Sequence, residues 1–238
     1  MPEPAASVRW LETVPSTQEV AHLLAESGAV HGTAVAAREQ LAGRGTRGRS
    51  WHSPLGGLWM SVVCRPQQAA SGECFSVRVG LAVAAAIEAC LPGAPVLMLK
   101  WPNDLYHHGR KLGGILCEAR WQGEELAWIV AGIGINVRNP LPAELRDTAV
   151  TLAELAPGIT PEELADPVAR HVATQAGTGG PLEETELAEF GRRDFLRGRV
   201  VDQPFHGVAE GIDRTGALII RGTTGGIRMA MAGTVVLA

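Results

Sequence analysis

Apolar and polar positions alternate weakly from Arg9 to Val14, which predicts a short strand. Ser16-Thr17-Gln18-Glu19 then reads as a capping box, with Ser16 as the cap and Glu19 three residues on. Val20, Ala21, Leu23 and Leu24 supply a helical stripe that stops at Gly28. Thr33–Ala37 and Leu58–Cys64 are strand candidates, the second after a Pro54–Gly57 turn. Phe75 to Leu91 is the clearest helix: Phe75, Val79, Ala82, Val83, Ala86, Ile87 and Cys90 share a face, and Pro92-Gly93 ends it. Val96–Lys100 reads as a buried strand. Leu112–Trp121 and Leu126–Val137 flank Gln122-Gly123-Glu124-Glu125, a hairpin pattern. Thr160-Pro161-Glu162-Glu163 is a second capping box, and its helix breaks at 177–181. A further helix spans about Leu182–Leu196. From Gly198 onward, short Val/Ile/Leu runs alternate with Gly-rich turns, so four or five strands form a small barrel packed on the main body.

Composition narrows the class without naming a chemistry. The chain has 238 residues, 46% hydrophobic and 19% charged, with a net charge of −4. That balance disfavours a protein built around nucleic-acid backbones. No apolar run approaches the roughly 18 residues that span a bilayer. The start, Met-Pro-Glu-Pro-Ala-Ala-Ser, lacks the pattern of a signal peptide. A soluble cytoplasmic protein is the expectation. Cys64, Cys74, Cys90 and Cys117 form no metal-ligand spacing and read as reduced core thiols, so no metal site is predicted. The chain uses 19 arginines but only two lysines, Lys100 and Lys111, and only three asparagines, Asn103, Asn136 and Asn139. A position that stays Lys on such a background needs an ammonium.

Four segments carry candidate chemistry. Gly43-Arg44-Gly45-Thr46-Arg47-Gly48-Arg49-Ser50-Trp51 combines glycines, which let backbone N–H groups approach a ligand, with arginine forks for anions. It lacks the Walker pattern, and a plain surface loop or an RNA-binding tract would look alike. Lys100-Trp101-Pro102-Asn103-Asp104 places a cation, an amide and a carboxylate at a strand end, and is also good turn chemistry. Arg110-Lys111-Leu112-Gly113-Gly114-Ile115-Leu116 sets an ammonium at the mouth of a strand, where an edge Lys could equally snorkel. Gly132-Ile133-Gly134-Ile135-Asn136 bares one strand face, as a flat ligand or a twisted strand requires.

In this order the segments, together with Gly211-Ile212-Asp213-Arg214-Thr215-Gly216-Ala217-Leu218, resemble the biotin protein ligases from about Ser16 to the end. The resemblance implies an α+β fold, with a mixed β-sheet packed by helices as a biotin/lipoate ligase-like catalytic domain at 1–196. It also implies a C-terminal SH3-like β-barrel at 197–238. It implies that ATP with Mg²⁺ activates biotin to biotinyl-5′-AMP. A lysine of a biotin carboxyl carrier domain of acetyl-CoA or another acyl-CoA carboxylase then takes the biotinyl group.

By similarity, Ser16, Thr17, Gln18, Gln40, Gly43, Arg44, Gly45, Thr46, Ser61, Lys111 and Gly114 belong to the biotin site. Arg47, Arg49, Trp51, Lys100, Asn103 and Asn136 belong to the ATP site. Lys111 and Arg44 offset the repulsion between a carboxylate and a phosphate. Asp104 either accepts the proton of the incoming amine or orients Lys111. One departure stands out: Thr46 occupies the fourth place of the loop, where the family usually has Arg. The short segment before Ser16, with one Arg, leaves no room for the helix-turn-helix some members carry, so no nucleic-acid partner is expected. No membrane partner is expected, and monomer and homodimer both stay open. The competing readings are a lipoate or octanoate ligase of the same fold and a non-catalytic biotin sensor.

Overall fold

The computed structural model describes residues 7–67, 72–93, 95–177 and 179–238, so the first six residues and Thr178 of the expected helix break lie outside it. A seven-stranded mixed sheet has the order β1-β2-β3-β7-β6-β5-β4. Its strands are β1 (Arg9–Val14), β2 (Ala34–Gln40), β3 (Leu58–Cys64), β4 (Met98–Lys100), β5 (Asp104–His107), β6 (Arg110–Gln122) and β7 (Glu125–Ile135). Only β1 and β2 run parallel, because helix α1 (Thr17–Glu26) connects them; the other neighbours are antiparallel. The β6–β7 hairpin turns at Gly123, whose φ of 63° suits a tight turn. β5 is absent from the expectations, since Asp104–His107 is too short and too polar to show a period.

The two faces of the sheet are covered differently. Leu58, Met60 and Val62 of β3, with Ile129, Ala131 and Ile133 of β7, point into the main core beneath α2 (Gly72–Cys90) and α3 (Pro161–Ala176). Of the expected α2 face, Phe75, Val79, Ala82, Val83, Ala86 and Ile87 are buried, whereas Cys90 is half-buried. Val35, Val63, Trp128 and Val130 face the other way and meet Ala21 and Ala25 of α1. One short helix cannot cover that face, and the uncovered part of β3, β7, β6 and β5 becomes a cavity wall.

Two details of α1 differ from expectation. Its buried stripe is Thr17, Gln18, Ala21, His22 and Ala25, while Leu23 is 57% exposed. Ser16 does cap the helix, but its hydroxyl accepts from the Gln18 N–H at 3.3 Å and Glu19 does not close the box. Glu19 instead leans toward Arg44, 3.7 Å away. The second box, at Thr160 and Glu163, forms as read.

The C-terminal segment folds into a five-stranded antiparallel SH3-like sheet of order β11-β10-β9-β8-β12. Its strands are β8 (Val200–Gln203), β9 (Gly207–Ile212), β10 (Leu218–Arg221), β11 (Ile227–Ala230) and β12 (Val236–Leu237). It is tied to the main sheet by the buried indole of Trp101, whose N–H donates to the Gly216 carbonyl at 2.8 Å. Helix α4 (Glu184–Arg193) joins the two parts. Two ion pairs, Arg78–Glu186 and Arg193–Glu88, bind it to α2. None of the four cysteines forms a disulfide; Cys64 and Cys74 are buried and Cys90 and Cys117 half-buried.

Candidate active site

A cavity of about 380 Å³ opens over the uncovered sheet face, within the usual range for small-ligand sites. Its wall is built by strand alternation: Gly132, Gly134 and Asn136 follow β7, Gly114 and Leu116 follow β6, and Asp104 and Tyr106 follow β5. The glycines are needed because other side chains lie against the strands. A Cβ on Gly132 would stand 2.5 Å from Gln18 Oε1, and one on Gly134 would stand 2.6 Å from Trp51 Nε1. Trp51 lies on this floor with its indole N–H buried and without a hydrogen-bond partner. Buried polar groups are normally paired, so the site lacks an acceptor at that point.

At the buried end, four side-chain oxygens form a row. Gln18 Oε1 is 3.0 Å from Ser61 Oγ, Ser61 Oγ is 2.9 Å from Thr17 Oγ1, and Thr17 Oγ1 is 3.1 Å from Gln40 Oε1. Both carboxamides are oriented from behind. Gln18 Nε2 donates to the carbonyls of Val130 and Leu116. Gln40 Nε2 donates to Ser53 Oγ, whose own proton goes to the Trp51 carbonyl. Their oxygens therefore face the hydroxyls. Three oxygen–oxygen contacts share only two hydroxyl protons, so one contact always lacks a hydrogen. A ligand with N–H donors would supply the missing hydrogens.

Toward the mouth the site turns cationic. Lys111 Nζ sits 2.6 Å from Asp104 Oδ1 and 5.2 Å from the centre of the Trp51 ring. Its backbone is clamped by the Thr148 carbonyl and the Val150 N–H. Arg44, Gly45, Thr46 and Arg49 line the loop side. Thr46 Oγ1 accepts from Arg49 Nη2 at 2.9 Å. Among the described residues, Asp104 is the only acidic side chain lining the cavity, and no group of three His, Cys, Asp or Glu is placed to hold a metal.

Most residues singled out in the sequence meet in this cavity: Ser16, Thr17, Gln18, Gln40, Arg44, Gly45, Thr46, Arg49, Trp51, Ser61, Asn103, Asp104, Lys111, Gly114 and Asn136. Three do not line it. Gly43 is buried under the loop, where a Cβ would stand 2.4 Å from the Trp51 carbonyl oxygen, so its role is to let the loop close on itself. Arg47 has a left-handed backbone (φ 61°) and turns away, donating to Thr234 of the C-terminal sheet. Lys100 stands 5.5 Å from the centre of the Tyr106 ring; burial pulls its ammonium below the ordinary lysine range, Lys111 adds to this, and Asp104 opposes it.

Other wall residues carry no signal in the sequence. Burial, aided by Asp104, pushes the Tyr106 phenol up to about 12, so it stays protonated. Asn139 Nδ2 donates to Asn136 Oδ1 at 3.2 Å, and Leu141, Pro142, Leu145 and Thr148 close the outer wall. That segment has neither hydrophobic period nor motif. Only its return along β6, where Lys111 pairs with Ala149, brings it to the site.

The model of the Biotin/lipoate A/B protein ligase family matches residues 10–136, and that of the Biotin protein ligase C terminal domain matches residues 197–238. The chain belongs to the biotin protein ligase family. It is similar to the biotin–[acetyl-CoA-carboxylase] ligase of Paracoccus denitrificans, 37% identical over 80% of this chain and 85% of that relative. It is also similar to the bifunctional ligase/repressor BirA of Bacillus subtilis, 33% identical over 90% of this chain and 69% of that one. Among solved structures, the biotin protein ligase from Aquifex aeolicus in complex with biotin and ATP superposes with a TM-score of 0.83 at 26% identity. That match covers 98% of this chain and all of the other. Both expected parts of this biotin ligase fold, the helix-packed mixed sheet and the C-terminal sheet, are therefore present. No helix among the described residues is long and apolar enough to cross a membrane.

Proposed function

We propose that this chain joins biotin to ATP, releasing pyrophosphate, and passes the biotinyl group to a lysine of a biotin carboxyl carrier domain. The observation that carries the reading is the proton-deficient row of oxygens at Thr17, Gln18, Gln40 and Ser61. A ureido ring brings two N–H donors, which is what that row lacks, and a carbonyl that takes up a hydroxyl proton they release. The dithiolane of lipoate brings neither, and burying it there would leave the row unpaired at a cost of about 1–3 kcal/mol per group.

With the head at the row, the valeryl chain runs along Gly132 toward Lys111 and the loop. A biotin carboxylate oxygen attacks the α-phosphorus of ATP, the bond from that phosphorus to the pyrophosphate oxygen breaks, and biotinyl-5′-AMP remains. Lys111 and Arg44 hold the negative charge that both reactants bring. The 2.6 Å pair with Asp104 supports an orienting role for that carboxylate, since it fixes Nζ over the floor. Trp51 and the Asn103 and Asn136 amides surround the place for the base, and the unpaired Trp51 N–H fits an acceptor there. Mg²⁺ fits as an ion carried in by the triphosphate, whose charge it offsets, because the wall offers only Asp104. In the second step the carrier amine attacks the acyl carbon, AMP leaves, and the amine sheds a proton.

Labelled biotin, lipoate and octanoate offered with ATP test the reading directly. Pyrophosphate release is expected with biotin alone of the three. Lys111→Ala is expected to slow that release at least about a hundred-fold, the scale for losing a positioned charge. Release driven by lipoate, or a normal rate in Lys111→Ala, would refute it.

A further inference from the structure

Helix α1 is docked on the sheet by polar side chains, with Gln18 and His22 one turn apart on its buried face. Gln18 is accounted for by the oxygen row. His22 is more than nine-tenths buried, lies outside the cavity wall, and no motif points to it. Trp128 Nε1 of β7 stands 3.1 Å from His22 Nδ1. An indole N–H can only donate, so Nδ1 must accept and the ring proton sits on Nε2. That Nε2 is 3.2 Å from Glu118 Oε2 of β6 and donates to it. The Trp128 indole thus dictates both the tautomer of His22 and the direction of its bond to Glu118.

These contacts converge on the backbone that holds Gln18. Glu118 is the register partner of Val130, whose carbonyl accepts from Gln18 Nε2, and it lies two residues beyond Leu116, the other acceptor. The His22 hydrogen bond is the main reason the Glu118 carboxyl is held below its ordinary range, against burial, with Gln18 and the charge of Arg44 contributing. An apolar helix face can slide by fractions of an ångström at little cost. Directional bonds cannot, and hydrogen bonds at 2.9–3.1 Å in the oxygen row leave little slack.

We infer that His22, held between Trp128 and Glu118, is a positioning residue for the biotin head: it sets where α1 places Thr17 and Gln18. The inference rests on the oxygen row being the biotin head site. It concerns binding of one substrate, so its signature is a biotin KM that rises alone.

Steady-state kinetics on the full chain, with biotin and ATP varied separately and melting curves recorded, tests it in three variants. His22→Leu is expected to raise the biotin KM about ten-fold, with kcat and the ATP KM within about two-fold of wild type. His22→Gln offers an acceptor to Trp128 and a donor to Glu118 through one carboxamide, and is expected to restore the wild-type biotin KM. Ser61→Ala removes a hydroxyl from the row itself and reports on the underlying assignment. If Ser61→Ala raises the biotin KM while a folded His22→Leu does not, the positioning role is wrong and the head site stands. If neither raises it, the assignment of the row falls and the inference with it. Equal losses with both substrates that His22→Gln does not repair would make His22 a merely structural residue and overturn the inference.

Discussion

Thr46 takes the fourth place of the Gly/Arg loop, and its hydroxyl does no more than accept from Arg49. The neighbouring Arg47 does not compensate, because its left-handed backbone sends the guanidinium to Thr234. Two loop arginines, Arg44 and Arg49, thus remain on the cavity side, both exposed. A third charge-assisted contact to a phosphate would add about 1.5–3 kcal/mol. Thr46→Arg is therefore expected to slow escape of biotinyl-5′-AMP about ten-fold, read by chasing labelled intermediate off the protein. An unchanged escape rate would show that the loop grips without that position. At this scale the sequence was informative where residue type and chemistry coincide, as at Lys111 among so few lysines. It was silent on Tyr106 and Asn139, which no motif marks, and on His22, whose partners Glu118 and Trp128 lie 96 and 106 residues further along the chain.

The glycines of β7 divide the site between two substrates. Gly132 makes room for the Gln18 carboxamide and Gly134 for the Trp51 indole. A methyl group at either place collides with a side chain held by its surroundings, so the neighbour must move. Gly132→Ala is expected to raise the biotin KM about ten-fold and leave the ATP KM near wild type. Gly134→Ala is expected to do the reverse. Isothermal titration of each variant with biotin and with a non-hydrolysable ATP analogue checks the split; equal losses for both ligands would contradict it. Alternate glycines in a strand were visible as a bared face, but not what lies on it, since that depends on α1 and the loop folding over β7. Helix α1 also shows a limit of pattern reading. Its apolar residues suggested a stripe through Leu23, yet the face that docks carries Gln18 and His22, because polar bonds to β6 and β7 outweigh the burial of one leucine.

Two ion pairs hold α4, the helix between the two sheets, against α2. Arg193 is almost fully buried and bonds Glu88 of α2, with Nη2 to Oε2 at 2.8 Å; Arg78 bonds Glu186 of α4. Burial opposes the charge of Glu88, but the bonds from Arg193 and from the Leu97 N–H outweigh it and hold the carboxyl below its ordinary range. Glu186 behaves likewise through Arg78 and the Glu183 N–H. Depressed carboxylates stabilise the fold above the unfolded value of roughly 4.3, and that contribution is lost as pH falls through the folded values. Urea midpoints are expected to stay level from neutral pH down to about 5 and drop steeply below about 4. Arg193→Met should cost about 1–3 kcal/mol at pH 7, since it leaves the half-buried Glu88 carboxylate without its partner, and should flatten the acid limb. A variant that keeps the wild-type acid limb would remove Glu88 from the account.

Local pattern decided much of this molecule. The β6–β7 hairpin, α2, the Thr160 cap and the break in character near Gly198 follow from side-chain period and turn chemistry, which act over a few residues. The order of five segments sufficed to place the chain in its family. Tertiary structure decided the rest: the position of β5, the polar docking of α1, the outward turn of Arg47, and the closure of the cavity by residues 139–149. Each depends on groups that meet only after the chain has doubled back on itself. The balance of donors and acceptors at such a meeting point belongs to no single stretch of sequence.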